Sequence, residues 1–290
     1  MKNKYLFYFL LISLLIFGVF SFIISSDPYN FNYKNYNKIF TEFKKKLNIK
    51  NLKNLENSNS NTLNLELENN LKSLNLEKKI KAESFLIYDI SRSKVILGYN
   101  ENTKRPLASV TKLMTAYIAT LECKDNLKDK LDSLLIASDN SSADNIAENC
   151  PNYDDFVKKM NSLAVKNNLN LSFANPSGLD INDEKEASNF GDAISVAKLM
   201  NMLYIVNPKM LEHTTKDNFN LIKNTNQYAE NLSFLIGSKT GYTDIAGGNL
   251  VTMYEVTPGN KIAIVIMGST KQDRFIDTFL LLKSYLNNIK

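Results

Sequence analysis

A single histidine, His213, stands in a chain of 290 residues. No Gly-x-Ser-x-Gly nucleophile elbow occurs anywhere. Together these argue against a Ser-His-Asp triad. They also argue against a zinc hydrolase, whose site recruits two or three histidines. The two cysteines, Cys123 and Cys150, form no Cys-x-x-Cys pair. No metal site and no cofactor is therefore expected. His213, in LEHTTKD, reads as a surface residue. No internal repeat is visible.

Charge is missing from Tyr5 through Ser26, and Tyr5 to Ile24 is almost wholly apolar. Twenty such residues, at ~1.5 Å each, match a bilayer core of ~30 Å. No small-x-small cleavage site follows, so residues 1–26 read as an uncleaved membrane anchor rather than a signal peptide. Lys2 and Lys4 precede it, which puts the remainder on the extracytoplasmic side of the cell membrane.

Glycine and proline are absent from Phe31 to Ala82, which holds 13 Asn, 11 Lys and 5 Glu. Residues 27–82 read as a low-complexity tether beside the membrane. The stretch from Phe31 carries +6 and residues 83–290 carry −2, so the basic excess lies outside the folded part. That suits anionic lipid or wall polymer, or plain solvation. Nucleic-acid binding would need the basic residues on the domain itself.

Residues 83–290 form the folded domain. Strands are expected at Ser84–Asp89, Val95–Tyr99, Ser233–Thr240, Asn249–Val256 and Lys261–Gly268. The turn TPGN (Thr257–Asn260) separates the last two. The middle, Ser109 to Tyr204, is helix-rich, and DRFIDTFLLLKSYLNN closes the chain as a periodic helix. Strands at both ends with helices between predict an α+β domain. Its five-stranded antiparallel sheet would pair the N-terminal hairpin with the C-terminal strands, and helices would cover it.

Three Ser-x-x-Lys pairs occur: Ser91/Lys94, Ser109/Lys112 and Ser195/Lys198. Ser91 lies in a turn, where i and i+3 are not held together. Ser195 lies in a periodic core helix. Ser109 opens a helix after KRPLA, with Lys112 on the same face and the dipole favouring negative charge. Such a serine needs a base, and an ordinary lysine is protonated at neutral pH. Burial or a second cation frees its lone pair. GSKTGYT supplies a second lysine, Lys239, at a strand end, followed by Thr240 and Gly241. Gly241 allows close backbone approach, and the strand edge can pair with an extended peptide. Between the two lies Ser138-Asp139-Asn140, before a helix. Its hydroxyl and amide could link base and substrate, or simply cap the helix.

The ordered set Ser109-x-x-Lys112, Ser138-x-Asn140 and Lys239-Thr240-Gly241 resembles the penicillin-recognising serine family, and within it the D-alanyl-D-alanine carboxypeptidases among the low-molecular-mass penicillin-binding proteins. FANPSGLD (Phe173–Asp180), SKTGYTDIAGGNLV and MGSTKQDRF add to the likeness, which covers about Ser84 to Leu286. The resemblance implies a β-lactamase/transpeptidase-like fold. It implies that Ser109 attacks the bond between two D-alanines of a peptidoglycan stem peptide, with Lys112 as base. Ser138 and Asn140 would relay the proton and hold the peptide. Lys239, Thr240 and Arg274 would hold the carboxylate, and the N–H groups of Ser109 and Tyr242 would form the oxyanion hole. Water completes a carboxypeptidase cycle and an amine a transpeptidase one; a β-lactam remains attached.

The chain departs from the family in three ways. Only 25 residues separate Lys112 from Ser138, where the family commonly builds a cleft wall. The second β-rich domain and the C-terminal anchor of many members are not expected. Cys123 and Cys150 end the two helices that begin at the site, so they are either a disulfide or two buried thiols. A class A β-lactamase would need a glutamate for its deacylating water; Glu184 and Glu186 are nearby without that family's local pattern. A wall-binding scaffold with a relic site is the reading outside enzymology.

Overall fold

The computed structural model describes residues 79–123, 128–150, 153–182, 185–232 and 234–288. The expected anchor, most of the tether and Glu184 lie outside them. Among the described residues no helix is long and apolar enough to cross a membrane.

The chain enters through β1 (Ser84–Asp89) and β2 (Lys94–Tyr99). All six residues of β1 are buried, as in a strand covered on both faces. Near the other end come β8 (Leu235–Thr243), β9 (Gly247–Thr257) and β10 (Asn260–Ser269). The five form one sheet in the order β2-β1-β10-β9-β8. β1 pairs antiparallel with β10, so the N-terminal hairpin is stitched to the C-terminal strands as expected. β8 lies at an edge. It begins two residues later than predicted and runs on through Thr243.

Between β2 and β8 the order is β3 (Arg105–Pro106), a 3₁₀ turn (Ala108–Thr111), α1 (Lys112–Glu122), α2 (Lys128–Asp132) and a π-helical turn (Ser133–Ala137). Then come α3 (Asn140–Asn149), α4 (Tyr153–Lys166), β4 (Leu171–Ser172), β5 (Phe190–Gly191), α5 (Ala193–Val206) and α6 (Pro208–His213). A small hairpin, β6 (Asn218–Phe219) and β7 (Ile222–Lys223), precedes β8, and α7 (Asp273–Asn288) closes the chain. The miniature sheet β3-β5-β4 was not foreseen, because two-residue strands carry no alternation.

One core lies on the sheet face that carries Leu86, Val251, Met253 and Val265, with Leu113, Met114, Val196 and Met200 of α1 and α5 among its members. Alternate strand residues point the other way. That second set includes Phe85, Ile87, Ile264 and Ile266, all buried. Asp277 of α7 accepts from the N–H groups of Lys81 and Ala82 at 3.1 Å each and from Ser269 Oγ at 2.6 Å, pinning the entering chain to the last helix.

Cys123 and Cys150, the C-caps of α1 and α3, are joined by a disulfide with Cα atoms 5.1 Å apart. Of the two alternatives the structure has the bridge. His213 is not a free surface residue: its Nδ1 is 2.7 Å from Asp132 Oδ1, and its ring stacks on Phe219 with centroids 3.7 Å apart. The buried Asp132 carboxylate needs a polar partner, and the half-buried imidazole supplies it.

Candidate active site

Ser109 does not open an α-helix. It lies in the 3₁₀ turn, which passes into α1 at Lys112. In a 3₁₀ turn side chains at i and i+3 eclipse, whereas an α-helix would offset them. Lys112 Nζ accordingly lies 2.8 Å from Ser109 Oγ. The turn is held by its neighbours. Ala108 has a left-handed φ of 46°, a strained conformation for a residue with a side chain. Asn249 of β9, wholly buried, donates to the carbonyls of Pro106 (2.9 Å) and Leu107 (3.0 Å) and accepts from Gly268 N at 2.9 Å. Gly178, at φ +82°, packs so closely that a Cβ there would strike the Ala108 carbonyl.

Lys112 Nζ makes two further contacts, to Asn140 Oδ1 and to the Ser177 carbonyl, each at 2.6 Å. The lysine is fully buried, and that burial lowers its pKa to about 7, against the opposing charges of Asp144 and Asp139. Burial, rather than a neighbouring cation, is the cause. A neutral amine has two N–H bonds and one lone pair. Asn140 Oδ1 and Ser177 O can only accept, so they take the two protons. The lone pair is left facing Ser109, the one partner with a proton to give.

The π-helical turn ends at Ser138, which takes a left-handed φ of 61°. Asp139 is the helix cap, accepting from Ser142 N at 2.8 Å, so Ser138 and Asn140 on either side of it are not used for capping. Ser138 Oγ instead accepts from Lys239 Nζ at 2.8 Å. Lys239 is wholly buried, and its pKa lies well below the ordinary value. Desolvation is the main cause, followed by the charges of Lys112 and Arg274. Ser109, Lys112, Ser138, Asn140 and Lys239 thus converge, although 130 positions separate the first from the last.

β8 brings Gly241 against the 3₁₀ turn. A Cβ on Gly241 would lie 3.2 Å from Ser109 N and 2.9 Å from Leu107 O. Thr240 Oγ1 is 2.6 Å from Thr225 Oγ1. Arg274 is buried, and its Nη1 donates to the Gly241 carbonyl at 2.7 Å, bracing the strand. Burial lowers its pKa to about 10. Tyr242 is exposed, its hydroxyl donating to Asp244 at 2.7 Å.

The other Ser-x-x-Lys serines have structural bonds. Ser91 Oγ donates to Gly259 O at 2.7 Å, and Ser195 Oγ accepts from Asn170 N at 2.8 Å. Glu186 is exposed and accepts from Asn182 Nδ2 at 2.6 Å. Among the described residues no group of three His, Cys, Asp or Glu side chains could hold a metal. Sequence reasoning missed Asn249 and Thr225. An Asn within an apolar strand was a signal for the first, since a buried amide needs partners.

The D-alanyl-D-alanine carboxypeptidase family profile matches residues 68–132 and 120–271. A D-alanyl-D-alanine endopeptidase of Escherichia coli is 28% identical over 66% of this chain and 72% of its own. A D-alanyl-D-alanine carboxypeptidase of Mycobacterium tuberculosis is 25% identical over 64% of this chain and 74% of its own. Among solved structures, penicillin-binding protein D2 of Listeria monocytogenes in its cefotaxime-bound form superposes with a TM-score of 0.64. That match has 22% identity and covers 71% of this chain and 98% of that one.

Proposed function

Because the chain belongs to the D-alanyl-D-alanine carboxypeptidase family of hydrolases, we propose that it cleaves the D-alanyl-D-alanine bond of peptidoglycan stem peptides through an acyl-enzyme on Ser109. One observation carries the reading: Lys112 Nζ lies 2.8 Å from Ser109 Oγ and has two acceptors, Asn140 Oδ1 and the Ser177 carbonyl, for the two protons of its neutral form. Lys112 takes the serine proton as Oγ bonds to the penultimate D-alanine carbonyl carbon. The oxyanion lies between the N–H groups of Ser109 and Tyr242. The C–N bond then breaks, and the leaving amine receives its proton through Lys112 and Ser138. Water enters at the acyl carbon, frees the acid and returns the proton to Ser109. Lys239 and Thr240 hold the terminal carboxylate. Arg274 holds β8 in place and adds its charge to the pocket.

A β-lactam carries the same carboxylate next to a reactive carbonyl and would acylate Ser109. The sequence of residues 5–24 supports a membrane-anchored chain with this domain outside the cytoplasm. A second reading has an observation of its own: the Escherichia coli relative is an endopeptidase. On that reading the bond cut is a D-alanyl cross-link.

The test is mass spectrometry of the full chain and of Ser109→Ala after incubation with a labelled penicillin. A one-to-one adduct on Ser109, absent from the variant, is the expected result. Absence of both an adduct and drug hydrolysis in the wild type would overturn the reading. Release of free D-alanine from a pentapeptide, against scission of a cross-linked dimer, separates the two substrate readings.

A further inference from the structure

Thr225 belongs to none of the motifs that drew attention to the site. Its N–H donates to the Ile136 carbonyl at 3.0 Å, and its Oγ1 lies 3.1 Å from the same oxygen. That Oγ1 is also 2.6 Å from Thr240 Oγ1. Ile136 is in the π-helical turn, two residues before Ser138. One side chain therefore joins the segment that presents Ser138 to the strand that presents Lys239 and Thr240.

The protons decide what this junction can do. Each hydroxyl has one, and the Ile136 carbonyl can only accept. When Thr225 donates to Ile136, Thr240 must spend its own proton on Thr225. When Thr240 turns its proton outward, Thr225 can swing its proton to Thr240, over the shorter of its two distances. The swing leaves Ile136 O with the Thr225 N–H still bonded, so no buried acceptor is orphaned. A carboxylate, which only accepts, favours this second arrangement, and a hydroxyl that is itself receiving a hydrogen bond donates more strongly.

We infer that Thr225 is a positioning residue that reverses the proton order of the Thr225–Thr240 pair when a ligand carboxylate binds, and so selects substrates and inhibitors bearing a free carboxylate. This rests on the reading of Thr240 as a carboxylate holder.

The experiment measures second-order acylation of full-chain wild type, Thr225→Val and Thr225→Ser. The probes are benzylpenicillin and its uncharged methyl ester. Thr225→Val should react about tenfold more slowly with the acid and within about twofold of wild type with the ester, with Thr225→Ser restoring the acid rate. Equal losses on both probes would mean a purely structural role and overturn the inference, as would an unchanged rate with the acid. A wild-type chain that reacts with neither probe overturns the Ser109 reading and this inference together. A reactive wild type with an indifferent Thr225→Val overturns this inference alone.

Discussion

Asn140 Oδ1 and Lys112 Nζ lie 2.6 Å apart, joining the first turn of α3 to the first residue of α1. The amide holds one of the two protons a neutral lysine has, and it does so without adding charge. A carboxylate in its place would hold the lysine as an ammonium ion, because an adjacent opposite charge favours the charged form.

Asn140→Asp is therefore expected to shift the pH dependence of penicillin acylation. In the wild type the rate should rise with pH along a limb centred at about 7, where Lys112 loses its proton. The sign follows from the base being the neutral amine, which is scarce below that value and dominant above it. In Asn140→Asp the limb should move to higher pH, with about a tenfold loss at pH 7 and recovery toward pH 9. A uniform loss at every pH would show that the amide acts on something other than the lysine. Stopped-flow or quenched acylation across pH 5–9 measures it.

Asp144→Asn should act in the opposite direction. The Asp144 charge raises the Lys112 pKa against the dominant effect of burial. Removing it lets burial act with less opposition, so the limb should move below that of the wild type. The expected gain is about twofold at pH 6 with the alkaline plateau unchanged. A limb moving to higher pH would contradict the assignment of Lys112 as the titrating base.

The parts of the molecule that could be read from sequence are those governed by short-range pattern. The spans expected for β1, about Ser84–Asp89, and for the closing helix, Asp273–Asn288, match the observed β1 and α7, because a short apolar run bounded by a polar turn and a helical period are both local signals. Ser109 and Lys112 were expected on one α-helix, and the 3₁₀ turn was not foreseen. Its cause is tertiary: the Asn249 side chain grips the Pro106 and Leu107 carbonyls from more than 140 residues away, and Gly178 presses on Ala108. Thr225 was illegible for the same reason. It sits in aperiodic chain, 89 residues from the carbonyl it bonds. Arg274 was placed at the site by resemblance, yet which atom it would hold is set by β8, whose Gly241 carbonyl it braces.

The disulfide should matter to stability more than to chemistry. Cys123 and Cys150 are 27 positions apart, and the bridge ties the far ends of the helices that start at Lys112 and Asn140. Chain-entropy reasoning for a loop of that size gives about 3–4 kcal/mol. A Cys123→Ala/Cys150→Ala double variant should lose roughly that much in urea unfolding, while penicillin acylation of the folded protein stays within about threefold of wild type. Acylation falling in parallel with stability would mean that the bridge also sets the geometry of Lys112 and Asn140.

Gly241→Ala tests how tightly β8 runs past the nucleophile. The added Cβ would stand 2.9 Å from Leu107 O, 3.1 Å from Val110 N and 3.2 Å from Ser109 N. All three are backbone atoms, and the Leu107 carbonyl is also held by Asn249, so no flexible side chain can give way. Either the strand or the 3₁₀ turn must shift by a few tenths of an ångström, and the atoms that shift include Ser109 N, one of the proposed oxyanion donors. Loss of one such donor costs about 10²–10³ in rate; a displaced donor should cost less, about 10- to 100-fold in acylation. Reversible binding of a peptide ending in D-alanine, followed by titration, should weaken far less. If acylation and binding fall together, the methyl group is blocking the groove itself. If neither changes, β8 has slack at this point, and the close approach seen at Gly241 is not what orients the serine.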